Sequence, residues 1–285
     1  MKDRYPLSQY AKRSGTGWVD HCPAHDDKNP SLSIDLGRDG QLLLRCHAGC
    51  SFEAIIAAAG LKGVPPTATL SPAARLAYDL VADAERRQRV ARATKIWREG
   101  GPIKGTLSQT YLESRGITWQ SEAQRHHPAL FHGPSQKLLP ALVSCIVRDN
   151  HLVGVHRTFL DLKGQKVDRM MLGECRGGAV PLLSNGGRLY VAEGIETAMS
   201  IRQLRADAAD SSIWAACSAG GMENLQLDGQ PREIVVAADG DPVGKRAAEN
   251  LADRTARQGW TAYTMTAPTS KDWNDVLREE IQHAD

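Results

Sequence analysis

The stretch IVVAADGD (234–241) places two carboxylates directly after an apolar run. Asp239 and Asp241 are separated only by Gly240, and Glu193 ends a second apolar run, RLYVAEG. Like charges this close raise one another's pKa unless a cation compensates them. If the two runs are neighbouring parallel strands, all three carboxylates meet at the carboxyl edge of one sheet. This arrangement predicts a Mg²⁺ or Mn²⁺ site suited to phosphoryl transfer on a nucleotide or nucleic acid.

Several residues around these carboxylates have a predicted supporting role. Gly194 and Gly240 are expected to allow sharp turns at the two strand ends. Asp272 and Asp275, in SKDWNDVL, are interpreted either as outer ligands of the magnesium ion or as caps of the last helix. Glu196 falls in the first turn of a helix, where a carboxylate complements the helix dipole.

The N-terminal segment HCPAHDDKNPSLSIDLGRDGQLLLRCHAGC (21–50) has metal-ligand spacing. Cys22 and His25 form a C-x2-H pair, two short strands joined by a turn follow, and Cys46 and Cys50 form a C-x3-C pair. Ligand pairs at both ends of a hairpin predict one structural tetrahedral Zn²⁺. His47 lies inside the second pair and is an alternative ligand, although both cysteines are favoured.

The elements that must position these groups follow from the pattern of strands and helices. From Gly187 onward strand and helix segments alternate, which predicts a doubly wound, mostly parallel sheet and an α/β fold. IVRDNHLVGV predicts two β-strands around a tight turn. The predicted order is a zinc ribbon (1–62), a linker (63–75), a helical and basic α+β subdomain (76–185) and the doubly wound domain (186–285).

Composition bounds the function classes. The 285 residues are 41% hydrophobic and 24% charged, with a net charge of +2, which is ordinary globular composition. No apolar run approaches the ~18 residues of a membrane span, and the N-terminus lacks a secretory signal, so a cytoplasmic location without membrane partners is expected. Residues 61–185 hold eighteen basic and ten acidic side chains, which suits contact with an anion or a solvated helix surface.

Three motifs together resemble a known family. VAEGIETA with AADGD resembles the Toprim signature, a Glu followed by Asp-x-Asp, of bacterial-type primases, topoisomerases and some nucleases. CPAHDDKNPSLSI with CHAGC resembles the zinc-binding domain that precedes Toprim in DnaG-like and phage primases. GVHRTFL, GQKV and KDWND resemble the segments that flank Toprim domains in phage and plasmid proteins, so the resemblance extends over most of the chain.

The resemblance implies a DNA primase that makes RNA primers from ribonucleoside triphosphates on single-stranded DNA. Glu193 would be the general base or acid for the attacking 3′-hydroxyl, and Asp239 and Asp241 would hold the catalytic metal. The residues implied to contact template or triphosphate are Arg157, Lys163 and Lys166.

Two departures from the family pattern have consequences. The C-x3-C pair differs from the usual primase knuckle, and no P-loop G-x-x-x-x-G-K-[ST] appears. A separate replicative helicase is therefore the expected partner, unless the sequence is a fragment of a longer protein.

Two other functions are compatible with the same motifs. A Toprim nuclease would use the carboxylates to direct water at a phosphodiester, and it would nick DNA with metal but without triphosphates. A non-catalytic protein that binds single strands through its zinc ribbon would keep its affinity in Asp241→Ala. The complete set of three carboxylates argues against the latter.

Overall fold

The computed structural model describes residues 11–14, 17–37, 41–60, 72–208, 210–227 and 232–284. The chain divides into two compact units, Met1–Glu85 and Arg86–Asp285. Residues 63–71 of the predicted linker lie outside the described residues, and its last four positions already belong to a helix. No described helix is both long enough and apolar enough to cross a bilayer.

The first unit is a small antiparallel sheet with one helix. Alternating side chains of β3 build its core, because Leu32 and Ile34 are buried whereas their neighbours are not. Ile55 of the helix packs against them. A core this small stabilises a fold only weakly. The elements are β1 (Lys12–Ser14), β2 (Gly17–Asp20), β3 (Leu32–Leu36), β4 (Leu42–Cys46) and α1 (Phe52–Ala58), with the strands paired in sequence order.

The second unit begins within a long helix, Pro72–Glu99, and continues with an antiparallel sheet of four strands paired in sequence order. The predicted tight turn between two of them is present, since Asp149 and Asn150 have φ values of 51° and 58°, as a type I′ hairpin turn requires. One face of this sheet packs on Ala93 of the long helix. The elements are α2 (Pro72–Glu99), α3 (Leu107–Ser114), β5 (Gln124–His132), β6 (Lys137–Arg148), β7 (His151–Leu160) and β8 (Lys166–Gly173).

The remaining residues form a doubly wound domain, whose first strand lies at Val180–Leu183, before the predicted boundary at residue 186. Its five-stranded sheet has the order β13-β12-β10-β11-β9, in which only β9 is antiparallel to its neighbour. The elements are β9 (Val180–Leu183), β10 (Leu189–Ala192), α4 (Ile195–Leu204), a 3-10 helix (Ala206–Ala208), β11 (Ser212–Ala215), α5 (Ala219–Asn224), β12 (Glu233–Ala238), α6 (Pro242–Arg257), β13 (Thr261–Thr266) and α7 (Trp273–Ala284).

Helices cover both faces of this sheet, which confirms the predicted fold class. Tyr190 and Val235 lie in a core with residues of α4 and α7. Val191 and Val236, one residue along each strand, lie in a second core with residues of α5 and α6. The strand core residues are buried on both faces, as their continuous apolar sequences require.

The segment before α7 is fastened to the end of β12 by backbone contacts. The amide of Gly240 donates to the carbonyl of Lys271 at 2.8 Å, and its carbonyl accepts from the amide of Ser270 at 3.3 Å. A Cβ on Gly240 would lie 2.0 Å from the carbonyl oxygen of Pro268. The chain bends at both Gly194 and Gly240, but neither glycine has a positive φ. Gly240 is required for close approach of two backbones.

Gly240→Ala should therefore destabilise the protein by on the order of 2 kcal/mol or more, because backbone atoms cannot move aside cheaply. Gly220→Ala is the matched control, since a Cβ there meets nothing within 4 Å. Thermal unfolding of the two variants measures the difference. Equal melting temperatures would contradict the importance of this backbone contact.

Candidate active site and metal centre

The carboxylates that were predicted to converge follow the ends of two neighbouring parallel strands, β10 and β12. β10 pairs with β12 so that Ala192 lies opposite Ala237. Glu193 follows Ala192 directly, and Asp239 comes two residues after Ala237. Both side chains therefore start from the same carboxyl edge of the sheet, where α/β folds bind ligands.

Asp239 lies at the centre of the acidic cluster. Burial raises its pKa first, and the charges of Asp272, Glu193, Asp241 and Asp275 raise it further, to about 7. Its Oδ1 atom is buried and has no hydrogen-bond partner among the described residues. A buried carboxylate oxygen with no donor, facing other carboxylates, requires either a proton or a cation.

The other aspartates of the cluster also cap helices. Asp241 Oδ1 accepts from the amides of Val243 and Gly244 at 2.8 and 2.7 Å, at the start of α6. Its Oδ2 atom is the one left for a cation. The capping interpretation of Asp272 is confirmed, because its Oδ1 accepts from the amides of Asn274 and Asp275 at the start of α7. Its charge also acts on Asp239. Asp275 completes the capping pair, as its Oδ2 accepts from the amide of Asp272 at 3.2 Å.

Glu193 is a second acid of the cluster whose pKa is raised. Burial raises its pKa, and the charge of Asp241 adds to this effect. The amide of Ala219, at the start of α5, and the charge of Arg169 oppose it. Glu193 is therefore held by a backbone donor beside a like charge, an environment typical of catalytic carboxylates.

The donors of this cluster fit a hard divalent cation. They are all carboxylate oxygens, and one of them is buried without a partner. Among the described residues, only the ligand atoms of the cysteine and histidine cluster all lie within 4.8 Å of one another. The carboxylate oxygens are therefore farther apart than the ligands of a closed protein cage. Mg²⁺ suits such an arrangement, because it keeps several waters and takes substrate phosphates as further ligands.

The three basic residues implied by the family resemblance are not gathered at the carboxylates. Arg157 pairs across strands with Met170, which packs on the α2 face of the sheet. Its guanidinium donates to the carbonyl of Met171 at 3.2 Å, and its buried Nε has no partner among described residues. Lys163 is exposed in the turn before β8.

Lys166 lies on the other side of the sheet, where its charge acts on Glu196. Arg169 of β8 lies on the same side of the sheet. Its charge acts to lower the pKa of Glu193 and that of Tyr111, whose hydroxyl donates to Glu196. Sequence reasoning missed Arg169, although it lies three residues after Lys166 in the same basic segment. Of these two cations, Arg169 is the one whose charge acts on an acid of the cluster, Glu193.

Glu196 does more than complement a helix dipole. Its carboxylate accepts a hydrogen bond from the hydroxyl of Tyr111 on α3, and the net effect of its surroundings is a lowered pKa although burial works in the opposite direction. His156 acts on it from β7, and burial lowers the pKa of that imidazole to about 4. Because Tyr111 is 85 residues away in the chain, no local pattern could have predicted this contact.

The first unit gathers the predicted metal ligands. The ligand atoms of Cys22, His25, Cys46 and Cys50 all lie within 4.8 Å of one another. Three thiols and one imidazole at this spacing are the donor set of a tetrahedral site. His47 is directed elsewhere, because its Nε2 lies 3.0 Å from the hydroxyl of Ser33. Both cysteines of the second pair are therefore the ligands that the geometry favours.

Hydrogen bonds around the cluster favour the thiolate of Cys46, whereas burial raises the pKa of Cys22 and of Cys50. Burial works to raise the pKa of Cys46, but backbone amides of Cys50 and Ala48 and the hydroxyl of Ser31 outweigh it and lower that pKa to about 6. Asp27 lies 3.7 Å from the other ring nitrogen of His25 and accepts from the amide of Cys22 at 2.6 Å. Such carboxylate–histidine contacts support metal ligands in many proteins.

Comparison with known proteins identifies two segments of the chain. Residues 188–282 match the model of the Toprim domain family, and residues 87–182 match a domain of unknown function, DUF7146. The part of the chain that contains the carboxylate cluster is therefore a Toprim domain. A search of curated proteins finds no match.

Among solved structures, the chain is similar to several primase fragments. A DNA primase domain from Pseudomonas aeruginosa is 13% identical with a TM-score of 0.41, covering 64% of this chain and 72% of that one. The zinc-binding and RNA polymerase domains of the Aquifex aeolicus primase are 13% identical, with a TM-score of 0.38 and coverage of 96% and 79%. The primase fragment of the bacteriophage T7 primase-helicase is 14% identical, with a TM-score of 0.39 and coverage of 93% and 98%.

The metal centre makes a direct prediction. Purified protein should contain about one zinc ion per chain, and Cys46→Ser should lose it because three ligands hold zinc much more weakly than four. His47→Ala and Cys145→Ser should keep it, since neither residue belongs to the cluster. Elemental analysis of the four proteins measures this, and zinc loss in His47→Ala would overturn the ligand assignment.

Proposed function

We propose that the protein is a DNA primase, which synthesises short RNA primers on single-stranded DNA by metal-dependent nucleotidyl transfer. The observation that carries the proposal is the uncompensated Oδ1 of Asp239 among converging carboxylates of a Toprim domain. A cysteine–histidine metal cluster in the same chain, on a sequence that resembles the zinc-binding domain of primases, supports this choice.

In the proposed reaction a bound Mg²⁺ or Mn²⁺ would neutralise charge on the triphosphate and polarise the reacting phosphorus. Asp239 and Asp241, the latter through Oδ2, would hold that cation, with Asp272 as an outer neighbour. Glu193 would take the proton of the attacking 3′-hydroxyl, a role for which its raised pKa is favourable. Lys166 and Arg169 would supply positive charge for phosphates of the template or the triphosphate.

The metal cluster has a separate proposed role. We expect Zn²⁺ at Cys22, His25, Cys46 and Cys50 to stabilise the first unit, whose own core is small. The ordered unit would then help bind the single-stranded template. Of the three basic residues predicted from the family resemblance, Lys166 is the strongest candidate for a phosphate contact, because it shares its side of the sheet with Arg169, whose charge acts on Glu193.

The test is primer synthesis on a library of single-stranded DNA templates with labelled ribonucleotides and Mg²⁺. The wild type should form template-dependent dinucleotides. Asp239→Ala should lower the rate by about 100-fold or more while binding to single-stranded DNA is kept. Asp253→Ala, an exposed residue of α6 with the same change in charge, should have wild-type activity.

Two outcomes would contradict the proposal. One is the absence of any product from zinc-loaded protein on the whole library. The other is metal-dependent nicking of DNA without triphosphates, which would assign the same carboxylates to a nuclease.

A further inference from the structure

Two adjoining clefts of the second unit lie outside the acidic site. The first has a volume of about 580 Å³ and is lined by Arg89, Arg148 and Arg176. The second has a volume of about 340 Å³ and is lined by Trp214. Arg148 and Gln226 line both clefts, so we treat them as one arginine–tryptophan groove. None of the clustered carboxylates lines either cleft.

The arginines of the groove are held in place by neutral oxygens and by two acids. Arg148 donates to the carbonyl of Arg176 at 2.7 Å, and Arg176 donates from two nitrogens to Oδ1 of Asn224 at 2.9 and 3.2 Å. Glu174, in the first cleft, is shared between Arg86 and Arg148 at 3.4 and 3.7 Å, and Asp149 of the second cleft lies 3.9 Å from Arg148. Excess positive charge remains, because the clefts are lined by two acids and by four arginines, the fourth being Arg232. Preorganised guanidiniums are strong ligands of phosphate.

Arg89 adds to this excess. It extends from α2 and forms no hydrogen bond or ion pair within the described part of the chain. The arginine spacing of α2 in sequence fits either phosphate contact or a solvated surface. Its position in a cleft beside Arg148 favours phosphate contact.

The second cleft adds an aromatic surface. Trp214 of β11 is half-buried and lies beside Pro181 of the edge strand β9. An indole ring next to a line of arginines is the combination that binds single-stranded nucleic acid, since bases stack on aromatic rings while cations contact the backbone.

We propose that the arginine–tryptophan groove binds single-stranded nucleic acid, with backbone phosphates on Arg89, Arg148 and Arg176 and a base on Trp214.

Helix α5 links the groove to the acidic site. Its first residue, Ala219, donates to Glu193, and its last, Asn224, holds Arg176. A helix of six residues spans about 9 Å. The groove would thus hold a nucleic-acid strand at the distance of one short helix from the carboxylates. Only the assignment of that nucleic acid as the template rests on the proposed function.

The test measures binding without synthesis. Fluorescence anisotropy of a labelled oligodeoxythymidylate is followed against the full-length protein, without triphosphates or magnesium. Arg89→Ala should weaken binding about three- to tenfold and lower the slope of log affinity against log salt by about one. Arg87→Ala, an exposed neighbour on α2 that lines neither cleft, is the control of equal charge and should match the wild type.

A second set of variants tests the aromatic half. Trp214→Ala should weaken binding by about tenfold, as loss of one stacked base predicts, and Trp214→Phe should restore most of it by keeping an aromatic ring. Inorganic pyrophosphate and ATP serve as competitors that carry phosphate without a strand. Equal affinity of wild type, Arg89→Ala and Trp214→Ala would overturn the proposal. So would full competition by ATP at concentrations near that of the oligonucleotide, because the groove would then be a site for free nucleotides.

Discussion

Repulsion among carboxylates at Asp239 is the constraint on which the candidate active site depends. Burial and four neighbouring acids act on one side chain, and one of its oxygens has no partner among the described residues. Selection for stability alone would disfavour this cluster of acids, since the folded state is destabilised at any pH at which Asp239 is ionised. A bound divalent cation converts the same repulsion into binding energy.

The fold produces this crowding through backbone contacts. Parallel pairing of β10 with β12 brings Glu193 and Asp239 to one edge. The hydrogen bonds of Gly240 with Ser270 and Lys271 then bring the start of α7, and with it Asp272, to the same place. Trp273 reinforces this attachment, as its indole nitrogen donates to the carbonyl of Ala238 at 3.1 Å. The glycine is needed because no side chain fits between the two backbones.

Local patterns in the sequence predicted much of this site. The apolar run that ends in D-G-D and the alternation of strands and helices were sufficient to predict that these carboxylates lie at the carboxyl edge of a parallel sheet. Paired ligands around a hairpin predicted the metal cluster and already favoured Cys46 and Cys50 over His47. The geometry supports that choice, because it shows the His47 ring at the hydroxyl of Ser33.

Contacts between distant segments could not be predicted in this way. The bond from Tyr111 to Glu196 and the close approach at Gly240 depend on packing of elements far apart in the chain. The face of the sheet on which Arg157 lies could not be predicted either. Side chains alternate between the two faces of a strand, so a shift of one residue in register would move the arginine to the other face. The groove lined by Arg89 and Trp214 joins α2 to β11 and has no local signature.

The central claim is that repulsion at Asp239 exists to bind a divalent cation, and thermal unfolding of wild type and Asp239→Asn tests it most directly. A carboxylate whose pKa is raised to about 7 binds more protons folded than unfolded, so the folded state loses stability as pH rises from about 4 to about 7. At about pH 8 without magnesium the variant should therefore be more stable, by about 1–2 kcal/mol, and this difference should shrink towards pH 5. Magnesium should stabilise the wild type and leave the variant unchanged. A wild type more stable than the variant at pH 8 without metal, or equal stabilisation of both by magnesium, would contradict the account.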